Sequence, residues 1–150
     1  MQGPVKNRVA VMHGVNLDML GRRDPEHYGE LTLSELENQV RHWARHLDLE
    51  PISYQSNSEG EFIEFLHRLP EIADALLINP GAWTHYSWAI RDAVEIAGLP
   101  TVEVHLSAVD EREEWRQVTV LEGVTVARIA GRGADGYRDG LEALKAELDE

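Results

Sequence analysis

The stretch ALLINPGAWTHYSWAIRDAVEIAGLPTVEVHL, residues 75–106, decides the fold. It opens on an apolar run, Ala75 to Asn79, whose lack of alternation suits a strand buried on both faces. A helix follows from about Thr84, with Ile90, Ala93, Val94 and Ala97 spaced to share an inward face. Gly98 and Pro100 stop it, and a second strand, Thr101 to Leu106, begins at once. Strand, helix and strand in this order form a parallel crossover.

The same alternation continues outward on both sides. Arg8 to His13 (RVAVMH) reads as the first strand. Thr32 with Glu35 forms a capping box, and Leu33, Leu36, Val40, Trp43, Ala44 and Leu47 then share one helical face. Pro51 to Ser56 is a second strand, and Ser58 with Glu61 opens another helix as a second capping box, its face made of Phe62, Phe65, Leu66 and Leu69. Beyond residue 106 the pattern predicts a short helix over Glu111–Arg116, a last strand over Val124–Ile129 and a tail helix from Tyr137 carrying Leu141, Leu144 and Leu148. The fold expected is α/β: a doubly wound, five-stranded parallel sheet with helices on both faces, flavodoxin-like. Such sheets bind ligands at the carboxyl ends of their strands, which directs attention to His13 and Asn16, Gln55 to Ser58, Asn79 to His85, and His105 with Ser107.

With 150 residues the chain suits one domain, residues 1–150, with residues 1–7 as a flexible leader. The start lacks the apolar core of a signal peptide and no apolar run is long enough to span a bilayer, so no membrane partner and a cytoplasmic location are expected by default. A net charge of −13 argues against nucleic acid but leaves room for a small anionic substrate at a local arginine cluster. Cysteine is absent, which removes disulfides, thiol nucleophiles and cysteine zinc sites. Lysine occurs only as Lys6 and Lys145, so a buried Schiff-base lysine is not expected.

Four segments carry candidate chemistry. His13 to Gly29 (HGVNLDMLGRRDPEHYG) is long for a strand-to-helix connection. It reads either as a charged surface loop or as a mobile lid on which an arginine favours the phenolate of Tyr28, a base able to take a proton from carbon. In Asn79 to His85 (NPGAWTH), Pro80 and Gly81 shape a turn, while Asn79 and His85 are suited to bonding hydroxyls or simply to capping a helix. In Glu103 to Ser107 (EVHLS), Glu103 and His105 point to the same side of a strand. They form either a structural ion pair or an oriented proton donor, with Ser107 and nearby backbone N–H groups able to hold a carboxylate. Arg112 and Arg116, four apart, share a helical face that Glu113 and Glu114 would make a salt-bridged surface. Gly131–Gly136 fits a dinucleotide pattern, yet the chain ends before the strand and acid such a site needs, so these are turn glycines. His42 and His46 do not form a zinc motif and belong on a solvated face.

In their order and spacing, the lid NL…LG-R-R-x-P-x-x-YG, the strand end QSNSEGE, the turn N-P-G-A-x-T-H and the strand E-V-H-L-S resemble the type II 3-dehydroquinate dehydratase family, from about Arg8 to about Leu144. The resemblance implies dehydration of 3-dehydroquinate to 3-dehydroshikimate through an enolate, without metal or organic cofactor, in a homo-oligomer built as a dodecamer, a tetramer of trimers. It implies Tyr28 as the base, Arg23 holding it as phenolate with Arg112 close by, Asn16 stabilising the enolate through a water, and His105, oriented by Glu103, protonating the departing hydroxyl. Leu106 (backbone N–H) and Ser107 would hold the carboxylate. Asn79, His85 and Arg116, with Gly81 at the turn, would bind the ring, and Asp92 of a neighbouring subunit would complete the pocket. Three places depart from the family pattern: His13-Gly14-Val15-Asn16 replaces N-G-P-N, Ala108 stands where asparagine is common, and Gln117-Val118 replaces polar residues. A paralogue acting on a related cyclic hydroxy-ketoacid, or a non-enzymatic flavodoxin-like binding module, are the alternatives.

Overall fold

The computed structural model describes residues 5–150. The leader expected at residues 1–7 therefore lies partly outside the described residues. Its last member, Asn7, accepts a hydrogen bond from the Glu50 backbone. Five strands, β1 (Arg8–His13), β2 (Glu50–Gln55), β3 (Ala75–Asn79), β4 (Thr101–His105) and β5 (Ala127–Ala130), form one sheet in the order β2-β1-β3-β4-β5, with every pair parallel. Around it lie α1 (Pro25–Tyr28), α2 (Leu33–His46), α3 (Glu59–Ile72), α4 (Trp88–Ala97) and α5 (Asp135–Leu148).

Alternation within the strands divides the core in two. Val9, Val11, Leu77, Val102 and Val104 face α2 and α5, where Leu36, Val40, Tyr137, Leu141 and Leu144 meet them. Ala10, Met12, Leu76 and Ile78 face α3 and α4, against Phe62, Leu66, Ile90 and Val94. A strand covered on both faces must be apolar at every position, which is why β3 reads as an unbroken run. Because β1 lies between β2 and β3, the connections leaving β1 and β3 go to opposite faces, and a crevice opens at their carboxyl ends.

Several expected boundaries move. The Thr32–Glu35 capping box is complete, with both reciprocal bonds present. At Ser58 only half of it forms: the Ser58 hydroxyl accepts from the Glu61 N–H, but the Glu61 carboxylate accepts from the Ser56 hydroxyl instead. The helix expected from Thr84 starts at Trp88, capped by Ser87, because Gly81–His85 is a tighter 3-10 segment. No α-helix spans 111–116; two 3-10 turns, Val109–Glu111 and Glu114–Arg116, stand there. The last strand is Ala127–Ala130 rather than Val124–Ile129, and the tail helix begins at Asp135 rather than Tyr137. Among the described residues no helix is long and apolar enough to cross a membrane.

Candidate active site

The segment after β1 is ordered by its own residues. Asn16 adopts the left-handed region (φ 69°) and starts a 3-10 turn, Leu17–Met19, while Leu17 and Leu20 sink into the α2/α5 core. The Asn57 side chain fixes this turn, accepting from the Asn16 backbone N–H at 2.8 Å and donating to Asp18 at 3.1 Å. Asp24 caps α1, Pro25 begins it and Gly29 (φ 71°) ends it, so this single helical turn delivers Tyr28. The Tyr28 hydroxyl accepts from Arg23 at 2.8 Å and from Arg112 at 2.6 Å, and the Arg23 guanidinium also lies 3.7 Å from the ring centre. Burial lowers the Arg23 guanidinium from its ordinary value by more than the adjacent Tyr28 raises it, and Arg116 and Arg112 add to the lowering.

Val102 and Val104 face the α2/α5 core, so Glu103 and His105 project from the other face of β4. His105 Nε2 and Glu103 Oε2 are 2.5 Å apart. Glu103 is wholly buried, and its second oxygen accepts from the Thr119 hydroxyl at 2.8 Å, while Thr84 donates to the first. Burial by itself would raise the Glu103 carboxyl; the hydrogen bond and charge of His105, with the bonds from Thr84 and Thr119, overcome it and hold the acid below its usual value. An ionised Glu103 accepts a hydrogen bond from Nε2–H, which leaves His105 Nδ1 for chemistry. His85 stacks on His105 at 6.4 Å between ring centres and donates from Nδ1 to the Val118 carbonyl at 2.7 Å. Burial lowers the His85 ring from its ordinary value, further than the Val118 carbonyl raises it, so its Nε2 is a neutral acceptor.

These groups meet around a cavity of about 250 Å³ at the carboxyl ends of β1, β3 and β4. Of the residues expected at the site, Asn16, Arg23, Tyr28, Asn79, Gly81, His85, His105, Leu106, Ser107 and Arg116 line it. Glu103 stands behind His105, and Arg112 behind Tyr28, 3.4 Å from the Ser107 hydroxyl. Arg112 and Arg116 do not share a helical face as expected. The break between the two 3-10 turns sends Arg112 to Tyr28 and leaves Arg116 paired with Glu113. Asp92 is exposed on α4 and lines no part of the cavity. No site role for Trp115, Thr84, Thr119 or Asn57 was legible in the sequence. Trp115 lines the cavity edge-on to His85 at 5.3 Å. A carboxylate destined for burial at Glu103 needs hydroxyl partners, and this was the only sequence signal for the two threonines.

In the glycine-rich segment, residues 131–134 form a turn that leads into α5, with Gly131 and Gly133 at positive φ. Their N–H groups bond to the Ser107 and Leu106 carbonyls and so brace the loop after β4. His42 and His46 are exposed on α2, ring edge to ring face.

A sequence profile of the family described as Dehydroquinase class II matches residues 7–145. The chain belongs to the class II dehydroquinase family. It is 47% identical over 139 residues to a 3-dehydroquinate dehydratase of Pelotomaculum thermopropionicum, covering 93% of this chain and 96% of that one. It is 49% identical over 137 residues to the protein of that name from Carboxydothermus hydrogenoformans, covering 91% and 89%. Among solved structures, the type II dehydroquinase of Butyrivibrio crossotus superposes with a TM-score of 0.89 at 38% identity, covering 93% of this chain and 97% of that one. As a dehydroquinase the chain is an enzyme of the carbon–oxygen hydro-lyase class, with the flavodoxin-like fold.

Proposed function

We propose that this chain dehydrates 3-dehydroquinate to 3-dehydroshikimate through an enolate, with no covalent imine. The observation that carries the reading is a tyrosine hydroxyl bonded by two guanidinium groups, in one cavity with a carboxylate-bound histidine. The Tyr28 oxygen, held between the two guanidinium groups, is the base that takes the proton from the carbon next to the ketone. The electron pair moves onto the carbonyl oxygen as an enolate, which Asn16 stabilises through a water. Its return expels the β-hydroxyl, which leaves with the proton of the His105 imidazolium as water. Ser107 and the Leu106 N–H, with Arg112 within reach, hold the substrate carboxylate. Asn79, His85 and Arg116 hold ring hydroxyls. An imine route lacks support, since neither lysine lines the cavity: Lys6 is exposed and Lys145 pairs with Asp149 on α5.

Asp92 reaches such a pocket only from another copy, and α4 presents the face for it. Trp88, Asp92 and Ile96, spaced by four, are all exposed, the two apolar ones at 64% and 69%. A trimer, and a dodecamer built from trimers, would cover them. The product feeds either aromatic biosynthesis or quinate use. Enone absorbance in the ultraviolet, followed after adding 3-dehydroquinate, tests the reaction: the folded, assembled protein should turn over, and silence would reject the reading. A faster reaction with another ring acid would favour the paralogue that His13 and Val15 suggest.

A further inference from the structure

Beneath the cavity floor lies a buried polar group that the proposed reaction does not use. Tyr137, on α5, is wholly buried, and its hydroxyl accepts from Asn79 Nδ2 at 3.0 Å across 58 residues of sequence. Asn79 Oδ1 accepts from the Gly81 N–H at 3.1 Å. The amide is therefore set at both ends: a backbone N–H demands the oxygen, and the phenol takes one N–H, leaving a single N–H for the cavity. The phenol reaches this far because α5 sits close on the sheet. A Cβ at Gly140 would lie 2.6 Å from Leu77 on β3, and one at Gly136 would lie 3.3 Å from Ile129 and 3.4 Å from Val104. His13, wholly buried on β1, stacks on the Tyr137 ring at 5.5 Å with an interplanar angle of 25°. Neither of its ring nitrogens has a hydrogen-bond partner among the described residues, so here it acts as a flat packing surface.

We infer that Tyr137 is a positioning residue for the substrate: its hydroxyl, steadied by His13, holds the Asn79 amide in the orientation that presents one N–H to the ring. The inference rests on the reaction proposed above. Burial raises the Tyr137 phenol well above its usual value, so it stays neutral and is no second base. Without the hydroxyl, Asn79 would keep its bond to Gly81 but lose the restraint on its nitrogen end, and binding would suffer more than chemistry.

The test is Tyr137→Phe, which removes one oxygen and keeps the ring. KM for 3-dehydroquinate should rise about five- to tenfold, the range of one hydrogen bond, while kcat falls by less. In an Asn79→Ala background the same substitution should leave KM unchanged, because the group it acts through is gone. A purely structural role would instead show equal effects in both backgrounds, and that result, or a wild-type KM in Tyr137→Phe, overturns the inference. Should the phenylalanine variant not fold, His13→Leu, which removes the stacked ring that steadies Tyr137, makes the same comparison in both backgrounds. A wild-type protein inert toward 3-dehydroquinate sinks the reaction itself. An active wild type with an indifferent Tyr137→Phe sinks only the positioning role.

Discussion

Tyr28 differs from the other tyrosines in its partners: two arginines and no carboxylate touch its oxygen. Tyr28→Phe keeps the ring between Arg23 and Arg112 and removes the base. Turnover should fall at least about 100-fold with little change in thermal unfolding, checked by enone absorbance and calorimetry. His13 gives a prediction of another kind. Burial depresses its ring to about 4, against an ordinary value near 6.5. The unfolded chain thus binds the proton before the folded one does. Stability from this group is complete above pH about 6.5 and is lost as pH falls toward 4, by about 2 kcal/mol between pH 7 and pH 5. Urea unfolding at the two pH values measures this, and His13→Phe should shrink the difference by that amount. The chemical types at the site were legible in the chain, since a phenol, guanidiniums, a carboxylate and an imidazole stand where strands end. Which arginine meets the phenol from the far side came from the family resemblance and not from spacing. Arg112 lies 84 residues from Tyr28, and a one-dimensional reading placed it on a helix that does not exist.

At the scale of elements, the turn after β3 and the segment after β1 interlock through backbone. A Cβ on Gly14 would lie 2.3 Å from the Pro80 carbonyl oxygen, and one on Gly81 would lie 2.5 Å from the Val15 carbonyl. Gly81 also holds a positive φ of 65°. Gly81→Ala therefore combines strain with overlap and should cost about 2–4 kcal/mol in denaturant unfolding, with KM raised because Asn79 and Asn16 shift together. Thr32→Ala removes the capping hydroxyl of α2, at the foot of the segment that carries Tyr28, and should cost about 1 kcal/mol with turnover retained. The α-helices and strands that were legible have a strong local signal, either a capping box or an apolar period. Residues 107–126 lack one: the backbone there is shaped by bonds to distant groups, Val118 to His85, Thr119 to Glu103 and Val120 to Thr84. Propensity could not reveal two 3-10 turns in a segment anchored, just beyond them, to the Gly81–His85 turn and to β4.

For the whole molecule, a net charge of −13 coexists with a cavity bordered by Arg23, Arg112 and Arg116, so an anion is drawn to one place on an otherwise acidic protein. The exposed Trp88–Asp92–Ile96 face is the proposed route by which one copy completes another. Light scattering should report an assembly of twelve 16.9 kDa chains, and Ile96→Glu should break it down and raise KM together. An unassembled variant with unchanged KM would separate assembly from the pocket. The alternation of strands and helices and the parallel sheet followed from the order of residues, because burial on two faces and capping are local demands. The pairing of Tyr28 with Arg112, the threonine cradle of Glu103 and the grip of Tyr137 on Asn79 were decided only when the sheet closed. Those contacts join residues far apart in the chain, and a hydrogen bond between such residues, unlike a capping box, carries no trace in sequence until both partners have been brought to one end of the strands.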